Sequence, residues 1–274
     1  MYDSKLGCQT ITWGESQRTH FPDVFADISA AGFSGVEIGF RHIQHQSPPD
    51  IQRMLAAAKL TFIATHIGGN LEDAGQAAGE RDTLEQVLDY LQKMNATILM
   101  YSGLKYHDAP QFQRDLRMLC RAAQRCRDRG VTLLYHNHDW EFADHGRVIN
   151  TLVEQTDLGF CPDLGWVMKS GADVPAFLHR IESRIGAIHF KDFAAAGSIT
   201  TSGVDTVMLG EGVAPLAEAA RWALGRLPHV WMIAEQDPTD RPVAEVARRN
   251  ADYLRRIFSV GGQPVRGNPP VHNI

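Results

Sequence analysis

The stretch Val131–Phe142, VTLLYHNHDWEF, decides how the rest of the chain is read. It opens as a buried strand, with Val131, Leu133 and Leu134 apolar and Gly130 closing the helix before it, and it ends in polar residues able to do chemistry. Side chains alternate faces along a strand, so His136 and His138 are expected to look into one cavity and Asn137 away from it. Two imidazoles one pleat apart suit a metal ion or a proton transfer. A lone histidine at a strand end is usually a hydrogen-bonded filler, but HNH followed by Asp139 and Glu141 favours the chemical use.

Outward from this stretch, strand-like and helix-like segments alternate in both directions. Before it come strands at Leu6–Trp13, Gly35–Gly39, Thr61–His66 and Thr97–Tyr101, with helices at Phe21–Ala31, Asp50–Lys59, Arg81–Met94 and Pro110–Arg129. A polar loop bracketed by Gly68-Gly69 and Gly75–Gly79 is placed to close over a ligand. After it come a helix at Gly146–Gln155, strands at Leu158–Cys161, Ile185–Phe190 and Val230–Ala234, and helices at Val174–Ile181, Pro215–Leu227 and Pro242–Phe258. The Gly/Ser/Thr-rich segment Phe193–Gly212 reads as an active-site loop. Eight strand–helix units argue for one α/β domain, a (β/α)8 TIM barrel over residues 1–260, with a C-terminal tail at 261–274. A dinucleotide fold would want GxGxxG after strand one, where the chain reads GCQTITWGE, and no GxxxxGK[ST] loop occurs.

A net charge of −5 favours neither a nucleic acid nor an anionic membrane as partner. No run of about 20 apolar residues occurs and the first residues lack a leader pattern, so a cytoplasmic location is expected. Cys8, Cys120, Cys126 and Cys161 form no CxxC pair and read as reduced, mostly buried thiols.

The active site of such a barrel lies at the C-terminal ends of its strands. There stand Trp13, Glu37, His66, Tyr101, His136 with His138, Asp163, His189 with Lys191, and Glu235. His136, Asp163, His189 and Glu235 come from strands five to eight in turn. Two imidazoles and two carboxylates suit a divalent cation, with Mn2+ the first choice, then Co2+, Fe2+ or Zn2+, and Mg2+ less well. Trp13, Trp140 and Trp166 offer ring faces to the C–H face of a sugar, or pack the rim. Glu37 and His66 read as hydroxyl-binding or supporting groups, and Lys191 as a hand for a substrate oxygen.

With GCQTITWG, GVEIG, YHNHDWEF, CPDLGW, HFKD, LGEG and AEQDP in their order, the chain resembles the xylose-isomerase-like barrel superfamily. Within it, the resemblance is to the sugar phosphate isomerase/epimerase-like branch that includes the inosose dehydratases. That resemblance implies one divalent metal on His136, Asp163, His189 and Glu235, a homo-oligomer, and a sugar or cyclitol substrate. Many relatives carry Glu where this chain has His136, which leaves His138 or Glu141 as substitute ligands. The AP endonucleases of the superfamily use a DxGH motif; here it reads Asp163-Leu164-Gly165-Trp166, which argues against a nuclease. The expected chemistry is proton abstraction next to a carbonyl, with His138 or Glu141 as base, Glu235 as a ligand that also transfers protons, and Lys191 and His66 on substrate oxygens. Reprotonation makes an isomerase or epimerase, and loss of a β-hydroxyl makes a dehydratase. A sugar-binding barrel that retains the metal without catalysis is the third reading.

Overall fold

The computed structural model describes residues 5–68, 74–196 and 205–260, with side chains at 74–82 and 260 excepted. In chain order its strands are β1 (Leu6–Gln9), β2 (Gly35–Gly39), β3 (Thr61–Gly68), β4 (Ile98–Ser102), β5 (Thr132–His136), β6 (Gly159–Cys161), β7 (Ala187–Phe190), β8 (Asp192–Phe193), β9 (Thr206–Val207) and β10 (Trp231–Ala234). The helices are α1 (Phe21–Ala31), α2 (Phe40–Ile43), α3 (Pro48–Ala57), α4 (Ala74–Met94), α5 (Ala109–Asp128), α6 (Ala143–Gln155), α7 (Leu164–Lys169), α8 (Val174–Ile181), α9 (Leu216–Arg226) and α10 (Val243–Val260).

Strands β1 to β7 and β10 form one parallel sheet in the order β6-β5-β4-β3-β2-β1-β10-β7. Its ends meet through two isolated parallel bridges, Phe160 with Ile185 and Asp163 with His189, making a nearly closed TIM barrel. The backbone N–H of Gly186 donates to Phe160 O at 3.0 Å and that of His189 to Pro162 O at 2.9 Å. The seam therefore runs beside two of the expected metal ligands.

The helices form because their apolar residues recur on one face and their ends are capped. In α5, the Asp108 side chain accepts from the Gln111 N–H and Pro110 sits in the first turn, where its missing N–H costs nothing. Phe112, Leu116, Leu119 and Ala123 are buried, while Arg125 and Arg129 reach Glu85 and Asp89 on α4. One apolar layer fills the space between helices and strands. A second, smaller one fills the barrel axis with Ile63, Ala64, Met100, Leu134, Cys161, Ala187 and Ile233.

Three local expectations are corrected. The first strand ends at Gln9 rather than Trp13, because the Gln9 side chain accepts from the Ile11 N–H and starts a 3-10 segment over Thr10–Thr19, kinked at Gly14. Gly75–Gly79 lies inside α4, where glycine costs only about 1 kcal/mol per residue against alanine and the neighbouring alanines favour helix. Within the expected loop Phe193–Gly212, Phe193 and Thr206–Val207 join the β8–β9 ribbon. The rest of the polar loop at 69–73, residues 197–204 and the tail at 261–274 lie outside the described residues. Among the described residues, no helix is long and apolar enough to cross a membrane.

Candidate active site

At the C-terminal end of the barrel a cavity of about 380 Å3 is lined by His66, His136, His138, Trp166, Lys191 and Glu235, with Gln9, Arg41, His42, Ser102 and Asp237 also in its wall. The four donors His136, Asp163, His189 and Glu235 converge there. One ligand atom from each lies within 4.8 Å of all the others, and every one of the four residues is buried. Opposed ligands of a divalent ion held at ~2.1 Å stand ~4.2 Å apart, so this set fits a cation with little adjustment.

The hydrogen bonds sharpen the fit. Asp163 Oδ1 caps α7 by accepting from the Trp166 N–H at 2.9 Å, while its buried Oδ2 has no partner. His136 Nδ1 is likewise buried without a partner. An orphaned carboxylate oxygen and an orphaned imidazole nitrogen are costly in a protein interior, and a cation satisfies both. Burial, with the charge of Glu235 nearby, pushes the Asp163 carboxyl up to about 7. For Glu235 burial acts in the same direction, but Lys191 and His189 outweigh it and hold its carboxyl well below the ordinary range.

His189 is oriented by carboxylates on both sides, Glu235 Oε2 at 2.5 Å from Nδ1 and Glu37 Oε2 at 2.7 Å from Nε2. A carboxylate behind a ligating imidazole fixes its tautomer and ring plane. Glu37 is fully buried, and its other oxygen lies 3.3 Å from His66 Nδ1. It supports two histidines from beneath and does not line the cavity. His66 Nε2 faces Ser102 Oγ at 3.0 Å.

Lys191 is 2% exposed, and its ammonium donates to Glu235 Oε1 at 2.8 Å and lies 3.0 Å from Asp237 Oδ2. Burial opposes that charge, but Glu235, Asp163 and Asp237 outweigh it and raise the lysine above its ordinary value. It is a fixed cation in the cavity wall. Its Nζ also lies 5.3 Å from the Trp166 ring centroid.

The HNH motif divides into three tasks. His136 and His138 both reach the cavity with ring centroids 5.1 Å apart, although β5 ends at His136 and His138 arrives by a turn. The His138 ring stacks on Trp140 at 4.0 Å, its Nδ1 is buried without a partner, and burial pushes the imidazole down to about 3. Asn137 turns to the neighbouring strand: its Oδ1 accepts from the Asp163 N–H at 3.1 Å and its Nδ2 donates to Asp163 O at 3.4 Å. It clasps the backbone of a donor residue at both polar groups.

Besides Glu37, three expected site residues outside the four-donor set, Glu141, Trp13 and Trp140, do not line the cavity. Glu141 is fully buried and lines no part of the cavity; it accepts from Tyr135 O–H at 2.8 Å and from the His138 N–H at 2.8 Å. It braces the turn that presents His138. Trp13, freed from the barrel rim by the early end of β1, tucks against α1 with its indole N–H 3.4 Å from Asp27 Oδ2. Trp166 lines the cavity, and Trp140 backs His138 from outside it. Asn137, Ser102 and Asp237 were missed by the sequence reading. Asp237 had a signal, since it lies two residues beyond Glu235 in AEQDP, whereas the lateral reach of Asn137 had none.

The family model of the xylose isomerase-like TIM barrel matches residues 25–257, and the chain belongs to that family. Among curated relatives it is similar to an inosose dehydratase of Salmonella agona, 23% identical over 292 aligned residues that cover 93% of this chain and 96% of the relative. Among solved structures it resembles a sugar phosphate isomerase/epimerase from Parabacteroides distasonis, with a TM-score of 0.74, 17% identity and coverage of 95% and 96%. It also resembles a xylose isomerase-like TIM barrel protein from Mycobacterium smegmatis in complex with magnesium, with a TM-score of 0.72, 14% identity and coverage of 94% and 97%.

Proposed function

We propose that the chain is a divalent-metal-dependent sugar or cyclitol isomerase or epimerase that removes a proton next to a carbonyl. The observation that supports this most strongly is the convergence of His136, Asp163, His189 and Glu235, two of them with orphaned buried ligand atoms, beside a cavity lined by a fixed ammonium and a neutral imidazole. These four residues would hold the cation, which when bound supplies Lewis-acid polarisation of a substrate carbonyl and so acidifies the adjacent C–H.

The rest is done by the chain's own side chains. His138, whose neutral imidazole lines the cavity, accepts the proton from the carbon. Stacking on Trp140 and the bracing by Glu141 keep that ring in one orientation. Lys191 donates to a substrate oxygen where negative charge develops, its own charge compensated by Glu235 and Asp237 before substrate arrives. His66 and Ser102 hold a hydroxyl, and Trp166 covers the sugar's C–H face.

A lyase reading is favoured by the similarity to an inosose dehydratase. In that reaction Lys191, still charged, donates a hydrogen bond to the departing β-hydroxyl, and His138 passes to that oxygen the proton it took from carbon. The two outcomes separate by product. Protein loaded with Mn2+ or Mg2+ is incubated with keto-sugars and inososes, and products are followed by NMR and mass spectrometry. A change of configuration or carbonyl position at constant mass is expected for the isomerase, and loss of water for the lyase. Turnover that survives exhaustive chelation would contradict both, and metal binding without turnover of any member would turn the reading to a sugar-binding barrel.

A further inference from the structure

The barrel axis carries a second donor set, of which Cys161 is the member that the proposed reaction does not use. Cys161 stands two residues before Asp163 on the same face of the chain, one layer deeper, among Ile63, Met100 and Leu134. It pairs in register with His136 across β5 and β6 and is fully buried. A ligand atom from each of His136, Cys161 and His189 lies within 4.8 Å of the other two. The same two imidazoles therefore belong to two sets, one completed by the carboxylates of Asp163 and Glu235 and one by a thiol.

We propose that His136, Cys161 and His189 form a deeper site for thiophilic divalent cations such as Cd2+, Zn2+ and Co2+, mutually exclusive with the carboxylate site. The inference rests on the metal reading of the upper set. Hard cations such as Mg2+ and Mn2+ prefer carboxylate oxygen, and softer ones prefer sulfur with imidazole, so the two sets sort ions by ligand chemistry. Both sets draw on His136 and His189, and the ligand atoms within each set lie within 4.8 Å of one another, so an ion in the deeper set competes with one in the upper set for the same two imidazoles. As the sulfur–metal bond forms, the thiol proton leaves for solvent by way of the cavity above.

The test uses the full chain, stripped of metal and titrated with Cd2+ or Co2+. A thiolate-to-metal charge-transfer band in the near ultraviolet should grow in with one equivalent. It should be absent in Cys161→Ser and Cys161→Ala, whose Cd2+ affinity should fall by at least about tenfold while Mn2+ affinity, read by electron paramagnetic resonance of the free ion, stays within about twofold. In the unchanged protein, Cd2+ should release bound Mn2+ one for one. Asp163→Asn should lose Mn2+ binding and keep the Cd2+ band. The deeper site is overturned while the upper one stands if Mn2+ binds but no band forms, if the band survives both Cys161 substitutions, or if Cd2+ and Mn2+ bind together. If neither ion binds the unchanged protein, both readings fail.

Discussion

Within HNHDWEF, side chains a few positions apart have unrelated jobs, and their predicted substitutions differ accordingly. His138 lines the cavity with a neutral imidazole, so His138→Asn should keep its metal content and lose about 10²- to 10⁴-fold in turnover. Asn137 never touches the cavity contents. Asn137→Ala should nevertheless weaken Mn2+ binding by about 10- to 100-fold, because it frees the backbone of Asp163 at both polar groups; calorimetric titration reads this directly. Glu141 leaves a signature in pH. Burial pushes its carboxyl from 4.5 up to about 7. Between those values the native state holds a proton that the unfolded chain has released, so stability falls as pH rises through the window, by up to about 3 kcal/mol. Urea melts between pH 4.5 and 7.5 should show this slope, and Glu141→Gln should flatten it. The face assignments of His136 and His138 were readable from period-two alternation, whereas Glu141 was not. In a strand it would have shared the face of Asn137, away from the cavity, and the chain has in any case left the strand at His136.

At the scale of elements, the motifs DLGW and HFKD–LGEG turn out to be one packing problem. Helix α7 begins at Leu164, straight after Asp163, and its Gly165 lies so close to the residue that follows β7 that a Cβ there would sit 2.6 Å from Lys191 O. That neighbour is backbone and cannot swing away. Asp192, the next residue, accepts from the N–H groups of Phe193, Gly210, Gly212 and Ala214 and so ties the LGEG turn to the end of β7. Gly165→Ala should push α7 off Lys191 and cost more than about 2 kcal/mol, with a marked drop in turnover from the surviving fold. Asp192→Ala should open the turn to limited proteolysis around residues 208–214, since four backbone N–H groups lose their acceptor at once. The alternation of elements was plain in the sequence because helical and strand periods are strong signals. Short-range events were not. The Gln9 side chain stopped β1 four residues early, and glycines at 75 and 79 were absorbed into α4.

For the whole molecule, the seam between β6 and β7 is the weak line of the barrel. Every other neighbouring pair shares a strand ladder, bulged between Val36 and Glu37 where β2 meets β3, but this pair meets at two isolated bridges. The proposed cation would span it, with Asp163 on one side and His189 on the other. Metal at about 100 times its Kd should add about 2.7 kcal/mol of stability, raising the melting temperature by several degrees. Hydrogen exchange should then slow most at β6 and β7, and Asp163→Ala should remove both effects. The eightfold repeat of strand and helix made the barrel legible in the sequence. The location of its seam was not, because closure depends on register between segments far apart in sequence.

The central claim is that a carbon acid loses its proton beside these four donors, and exchange with deuterated solvent tests it most directly. Mn2+-loaded protein is incubated in D2O with a panel of keto-sugars and inososes and the substrates are followed by NMR. Deuterium should enter the carbon next to the carbonyl of at least one member, and the rate should collapse in His138→Asn at unchanged metal content. Absence of deuterium from every member despite bound metal, or undiminished exchange in His138→Asn, would contradict the account.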